Sequence, residues 1–177
     1  MDPLRGHFDH RPRSRPRLTF WHAANSLVAA EPRSTIDAMT YAGDLTPKQA
    51  WDLLADHPDA VLADVRTDAE WRYTGTPDLS GLGRQPVLAE WIRFPDGAAN
   101  PDFLGQLAGE GIEPGSDRPV LFVCRSGVRS VAAANAATAA DITPSYNVLD
   151  GFEGNVDQAG HRGVGGWKSA GLPWRQS

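Results

Sequence analysis

The stretch Pro119-Val-Leu-Phe-Val-Cys-Arg-Ser-Gly-Val-Arg-Ser130 constrains this chain more than any other. Four apolar residues of strand type run straight into a thiol. A Gly-containing turn follows, and residues 129–140 then read as an Ala-rich helix. A short buried strand that feeds a helix through a tight turn is the building block of α/β sheets with mainly parallel strands. In such sheets, sites lie at the carboxyl ends of strands. Cys124 stands at one such end. Loop N–H groups and the positive end of the following helix favour an anion there, so the thiol is expected to have a lowered pKa and to react as thiolate.

The same alternation runs from about residue 41 onward. Thr46-Pro47 reads as an N-cap followed by Pro at the first helical position, opening an amphipathic helix to about Asp56. Residues 60–65 read as a buried strand by length and Val content. Thr67 caps a short helix through Trp71. Residues 74–86 are rich in turn formers and read as a loop. Residues 87–92 read as a strand, 102–108 as a capped helix, 145–149 as the last strand and 167–170 as a closing helix. The fold class this predicts is α/β, with helices on both faces of a mainly parallel sheet.

The beginning of the chain departs from this pattern. Residues 1–17 hold five arginines (Arg5, Arg11, Arg13, Arg15, Arg17) and three prolines, a composition that cannot bury a core. Residues 18–30 are too short for a bilayer span, and His22, Asn25 and Ser26 make them a poor signal-peptide core. The expected organisation is a disordered tail over 1–39 and one domain over 40–177.

Composition narrows the function classes. The chain has 177 residues and a formal net charge of -5, which argues against bulk electrostatic binding of nucleic acid. Its single cysteine excludes an internal disulfide and a C-x-x-C dithiol, and no Cys/His cluster has zinc spacing. Neither a metal nor a cofactor is expected. A lone thiol suits a reducing compartment, so the expected localisation is cytoplasmic. Oxidised Cys124 would have no internal partner and would need an external thiol for rescue.

Four ordered motifs resemble the rhodanese (sulfurtransferase) family in its single-domain form. Leu45-Thr-Pro-Lys-Gln-Ala-Trp-Asp-Leu-Leu54 is similar to the opening helix. Asp64-Val-Arg66 with Glu70-Trp71 is similar to the early Asp-x-Arg…Glu-aromatic motif. Cys124-Arg-Ser-Gly-Val-Arg-Ser130 is similar to the active loop. Asn147-Val-Leu-Asp-Gly-Phe-Glu-Gly154 and Gly165-Gly-Trp-Lys-Ser-Ala-Gly-Leu-Pro173 are similar to the C-terminal motif. The resemblance covers roughly residues 41–175. It implies a rhodanese-like open sheet of about five strands.

It further implies ping-pong sulfur transfer through a Cys124 persulfide. The donor would be a small anionic sulfur compound such as thiosulfate. The acceptor would be cyanide or a thiol, protein thiols included; neither nucleic acid nor membrane is an expected partner. Arg125, Ser126, Gly127, Val128, Arg129 and Ser130 would form the substrate-binding loop. Its N–H groups would hold the anionic sulfur, Gly127 would let it curl, and Arg125 and Arg129 would attract an anionic donor. Asp64 and Arg66 would either brace this loop or form an ordinary ion pair. Glu70 reads as structural. Two segments depart from the family pattern, 74–86 and an insertion over 155–164, and both could border the cleft.

Two rival readings remain. A cysteine phosphatase needs five residues between its cysteine and arginine; here four separate Cys124 from Arg129, and Ser130 occupies the phosphatase arginine position. A non-catalytic binding or regulatory module could share the fold, since fold alone does not establish activity.

Overall fold

The computed structural model describes residues 40–176. The expected tail over 1–39 lies outside the described residues.

Five parallel strands make the central sheet: β1 (Gly43–Leu45), β2 (Val61–Asp64), β4 (Val87–Leu88), β5 (Val120–Val123) and β6 (Ser145–Val148), in the order β1-β6-β5-β2-β4. The helices are α1 (Pro47–Asp56), α2 (Asp68–Thr74), α3 (Phe103–Gly109), α4 (Val128–Ala139) and the one-turn α5 (Gly166–Ser169). This is the expected α/β architecture.

Strand alternation sorts the core into two layers. Val61, Ala63, Val120 and Phe122 face α3 and α4, meeting Phe103, Leu107, Ala133 and Ala137. Leu62, Leu121, Val123 and Val148 face the other way, meeting Ala50 and Leu54 of α1 and Trp167 of α5. Both faces of β2 and β5 are therefore covered, which is why these strands read as unbroken apolar runs. Small residues on α4 let it lie close to the sheet.

Local chemistry sets the helix starts. Thr46 accepts the Gln49 N–H at 3.3 Å and Gln49 Oε1 accepts the Thr46 N–H at 2.9 Å, a reciprocal cap with Pro47 at the first helical position. Thr67 and Glu70 repeat the arrangement at α2, with the Glu70 N–H on Thr67 Oγ1 at 3.3 Å and the Thr67 N–H on Glu70 Oε2 at 2.9 Å.

Some boundaries differ from expectation. The strand expected over 87–92 closes after Leu88; beyond it Ile92 makes a single bridge to Ala99. The helix begun by Thr67 runs on to Thr74, where Gly75 at φ 85° ends it. The segment 74–86 contains a short strand β3 (Thr76–Pro77), paired with β9 (Trp174–Arg175), and a 3₁₀ turn over Ser80–Leu82. The segment 155–164 is a hairpin of β7 (Asn155–Val156) and β8 (Arg162–Val164).

The sheet order places β5 between β6 and β2. Three strand ends therefore converge. The loop after β5 carries Cys124, the turn after β2 leads to α2, and the turn after β6 carries Gly151 and Phe152.

Candidate active site

The Cys124 loop is held from behind. Its carbonyl accepts the Phe152 N–H at 2.7 Å, and the Arg125 carbonyl accepts the Glu153 N–H at 3.0 Å. Gly151, at φ 60°, makes this close approach possible. A Cβ there would lie 2.6 Å from Arg125 C and from Ser126 N, nearer than real Cβ atoms come. Gly127, at φ 91°, turns the chain into α4.

Cys124 is 1% exposed and lies in the lining of a cleft of about 700 Å³. Its Sγ accepts two hydrogen bonds, from the Gly127 N–H and from the Ser130 hydroxyl, each at 3.2 Å. The sequence led us to expect several loop amides on the sulfur. Among the described residues, the Gly127 amide is the one in hydrogen-bonding reach, and Ser130 supplies the second donor. Both favour a negatively charged sulfur. The one-turn spacing from Gly127 to Ser130 puts both donors on one side of the helix start.

Arg129 is committed elsewhere. Its guanidinium makes a two-pronged pair with Glu70, Nη1 to Oε2 at 2.8 Å and Nη2 to Oε1 at 2.6 Å. Burial pushes the Glu70 carboxyl up. The Arg129 hydrogen bond, the Thr67 N–H and the guanidinium charge outweigh it and bring it down to about 2 from an ordinary 4.5. For Arg129, burial pulls downward, and the Glu70 hydrogen bond and charge outweigh it to leave the group raised. Glu70 thus caps α2 and clamps the active loop with one carboxylate. Sequence reading missed this role, although the Thr67-x-x-Glu70 spacing signalled the capping half.

This pair sets a pH dependence. A carboxyl held below its ordinary value stabilises the fold above that value, and the contribution fades as pH falls toward about 2. Glu70→Gln is expected to lower stability by about 1–2 kcal/mol at neutral pH, less than full linkage because the pair is partly exposed. More than half of the difference should vanish by about pH 3. Urea unfolding of both proteins at the two pH values checks this. An equal difference at both would assign Glu70 a pH-independent packing role instead.

Asp64 and Arg66 form a fully buried pair, with Arg66 Nε on Asp64 Oδ1 at 2.9 Å and Nη2 on Oδ2 at 2.6 Å. Arg66 also donates to Thr74 Oγ1 and to the Gly75 carbonyl, each at 2.7 Å, and its guanidinium carbon lies 4.0 Å from the Phe152 ring centre. Arg66 ties the end of α2 to the residue behind the active loop, while neither side chain lines the cleft.

The remaining loop residues divide. Arg125, Ser126, Val128 and Arg129 line the cleft with Cys124; Gly127 and Ser130 act from behind on the sulfur. The cleft's opposite wall is one the sequence did not suggest: Ile92, Arg93, Phe94, Pro95 and Gly97. Neither segment expected to border the cleft does so, Thr74 apart. No residue of the 155–164 hairpin lines the cleft; Thr76 and Pro77 pair with the C-terminal strand, Leu79 is buried with Leu54 and Trp167, and Arg84 donates to the Ala60 carbonyl. Among the described residues, no group of His, Cys, Asp and Glu side chains is arranged to hold a metal.

The model of the Rhodanese-like domain matches residues 46–157, spanning β2, the Cys124 loop and the turn after β6. The chain belongs to the rhodanese-like family. It is 35% identical over 127 residues to the uncharacterized protein RP600 homolog of Rickettsia rickettsii, covering 72% of this chain and 92% of that protein. Rv0390 from M. tuberculosis, known as a crystal structure, is 57% identical with a TM-score of 0.70, covering 78% of this chain and all of that one. A polysulfide-sulfur transferase homodimer from Wolinella succinogenes shares the fold at 24% identity and a TM-score of 0.51, with 80% of this chain and 81% of that one covered. In this rhodanese-like domain, no helix among the described residues is long and apolar enough to cross a membrane.

Proposed function

We propose that this rhodanese-like domain is a sulfurtransferase that carries sulfane sulfur on Cys124. The Cys124 thiolate attacks the outer sulfur of a donor such as thiosulfate. A bond forms between Sγ and that sulfur, the donor S–S bond breaks, and sulfite leaves with the electron pair. An acceptor nucleophile, cyanide or a thiolate, then attacks the terminal sulfur of the persulfide and releases Cys124 as thiolate. Each half-reaction is a two-electron displacement that needs no cofactor or metal.

The observation that carries this reading is the sulfur held by the Gly127 amide and the Ser130 hydroxyl, each at 3.2 Å, in the lining of an open cleft. Two fixed donors suit a sulfur that is anionic before attack and again on release, the persulfide's charge lying on its outer sulfur in between. The loop spacing disfavours phosphatase chemistry: four residues, not five, separate Cys124 from Arg129, and Ser130 stands where a phosphatase arginine would be. A lone thiol of this kind is best kept active in a reducing compartment such as the cytoplasm.

The test is a donor screen read by intact mass. Thiosulfate, polysulfide and low-molecular-weight persulfides are each incubated with the full chain, and excess donor is removed. Gain of one sulfur atom that cyanide then strips off supports the proposal. Failure to load from any donor favours a non-catalytic binding module.

A further inference from the structure

The Cys124 cleft presents more apolar surface than a small inorganic donor can use. Tyr73, Phe94 and Val128 are 79%, 69% and 74% exposed, yet all three line the cleft. They come from three separate places: the end of α2, the 92–97 wall and the first turn of α4. A single exposed apolar side chain is ordinary; three that converge on the approach to one nucleophile form a patch that marks an interaction site. Side chains this exposed turn much of their surface outward, so a small ligand inside the cleft would leave that surface in water. A protein laid across the rim would cover it.

The charge is equally local. The chain carries a net -5, but the cleft lining holds Arg93, Arg125 and Arg129 against a single carboxylate, Glu70. Glu70 satisfies Arg129, and Arg93 donates to Asn100 Oδ1 at 2.9 Å. Arg125 is exposed, and its guanidinium makes no hydrogen bond or ion pair among the described residues. A positive site on an acidic protein, bordered by aromatic and aliphatic side chains, complements a partner that is apolar at its centre and acidic at its edge.

We infer that Cys124 exchanges sulfur with a cysteine carried on an apolar, acidic segment of another protein. That segment docks across Tyr73, Phe94 and Val128 and sets an Asp or Glu side chain against Arg125. The inference rests on the proposed role of Cys124 as the reacting thiol, and names the partner for it.

The test separates docking from sulfur transfer. The full chain is reacted with short peptides whose single cysteine carries thionitrobenzoate. Cys124 thiolate attacks the peptide sulfur, the S–S bond breaks, and coloured thionitrobenzoate leaves with the electron pair. One peptide has Leu and Phe flanking the cysteine and aspartates beyond them. A second replaces Leu and Phe by serines, and a third replaces the aspartates by lysines. The first is expected to react faster than either control by about tenfold or more at low salt.

Tyr73→Ser/Phe94→Ser and, separately, Val128→Ser should shrink the preference over the serine peptide to about twofold or less. Arg125→Gln or added salt should shrink the preference over the lysine peptide. Thermal unfolding of the same samples distinguishes lost docking from lost fold. Equal rates for the three peptides, or preferences that these folded variants keep, overturn the inference. Peptide preference without sulfur loading from any donor would sink sulfur transfer and retain the docking surface. Sulfur loading without peptide preference would do the reverse.

Discussion

Cys124→Ser takes up no sulfur from thiosulfate and loses turnover by about a thousandfold or more. The reason is chemical rather than steric. The hydroxyl occupies the same place in the loop, and the Gly127 amide and Ser130 hydroxyl that meet Sγ at 3.2 Å can still donate to an oxygen. Serine is a far weaker nucleophile than thiolate and forms no stable persulfide equivalent. The chain contains no second cysteine, so no other thiol can substitute. Intact mass after donor treatment and a continuous assay of sulfite release make the measurement. Thermal unfolding should stay within a few degrees of the parent, because the replacement is nearly isosteric. A mass gain that persists in Cys124→Ser would remove Cys124 from the mechanism.

Gly151→Ala is expected to damage stability and activity together, although Gly151 touches no substrate. Its φ is 60°, a region costly to residues with a side chain, and its Cβ would press against Arg125 C and Ser126 N at 2.6 Å. Gly171 provides the control. It has a similar φ of 70° with open space around its Cα, so Gly171→Ala isolates the backbone cost. That control should lose about 1 kcal/mol. Gly151→Ala should lose about 3–5 kcal/mol if the loop stays in place. If the loop yields instead, Sγ shifts relative to its donors and turnover falls by about a hundredfold or more. Urea unfolding and sulfite release on both variants resolve the two routes. Equal stability and equal activity for the two variants would show that the loop does not need this close approach.

The fold was legible because its signals are local and agree with one another. Thr46-Pro47, Thr67 and the apolar runs at 61–64 and 120–123 each mark an element from neighbouring residues. The thiol and its loop were legible for the same reason. Contacts between distant segments were not. The Arg129–Glu70 pair spans 59 positions, and nothing within either helix announces the other. The 92–97 wall was read partly as strand. The run from Val87 to Ile92, which reaches only the first residue of that wall, is apolar enough for a sheet, yet β4 ends at Leu88 and the chain then turns beside the cleft. Gly151 was visible as part of a motif, but its purpose follows only from the carbonyl of Cys124 passing beneath it.

The backbone support behind the Cys124 loop also gives the protein a timetable. The N–H groups of Phe152 and Glu153 that hold Cys124 and Arg125 are synthesised well after the thiol itself. A nascent polypeptide that has reached Val148 carries the sulfur without the struts beneath it. Emergence of the downstream turn from the ribosome therefore marks the moment when the nucleophile becomes fully assembled, and a prematurely terminated product would keep the cysteine while lacking a formed centre.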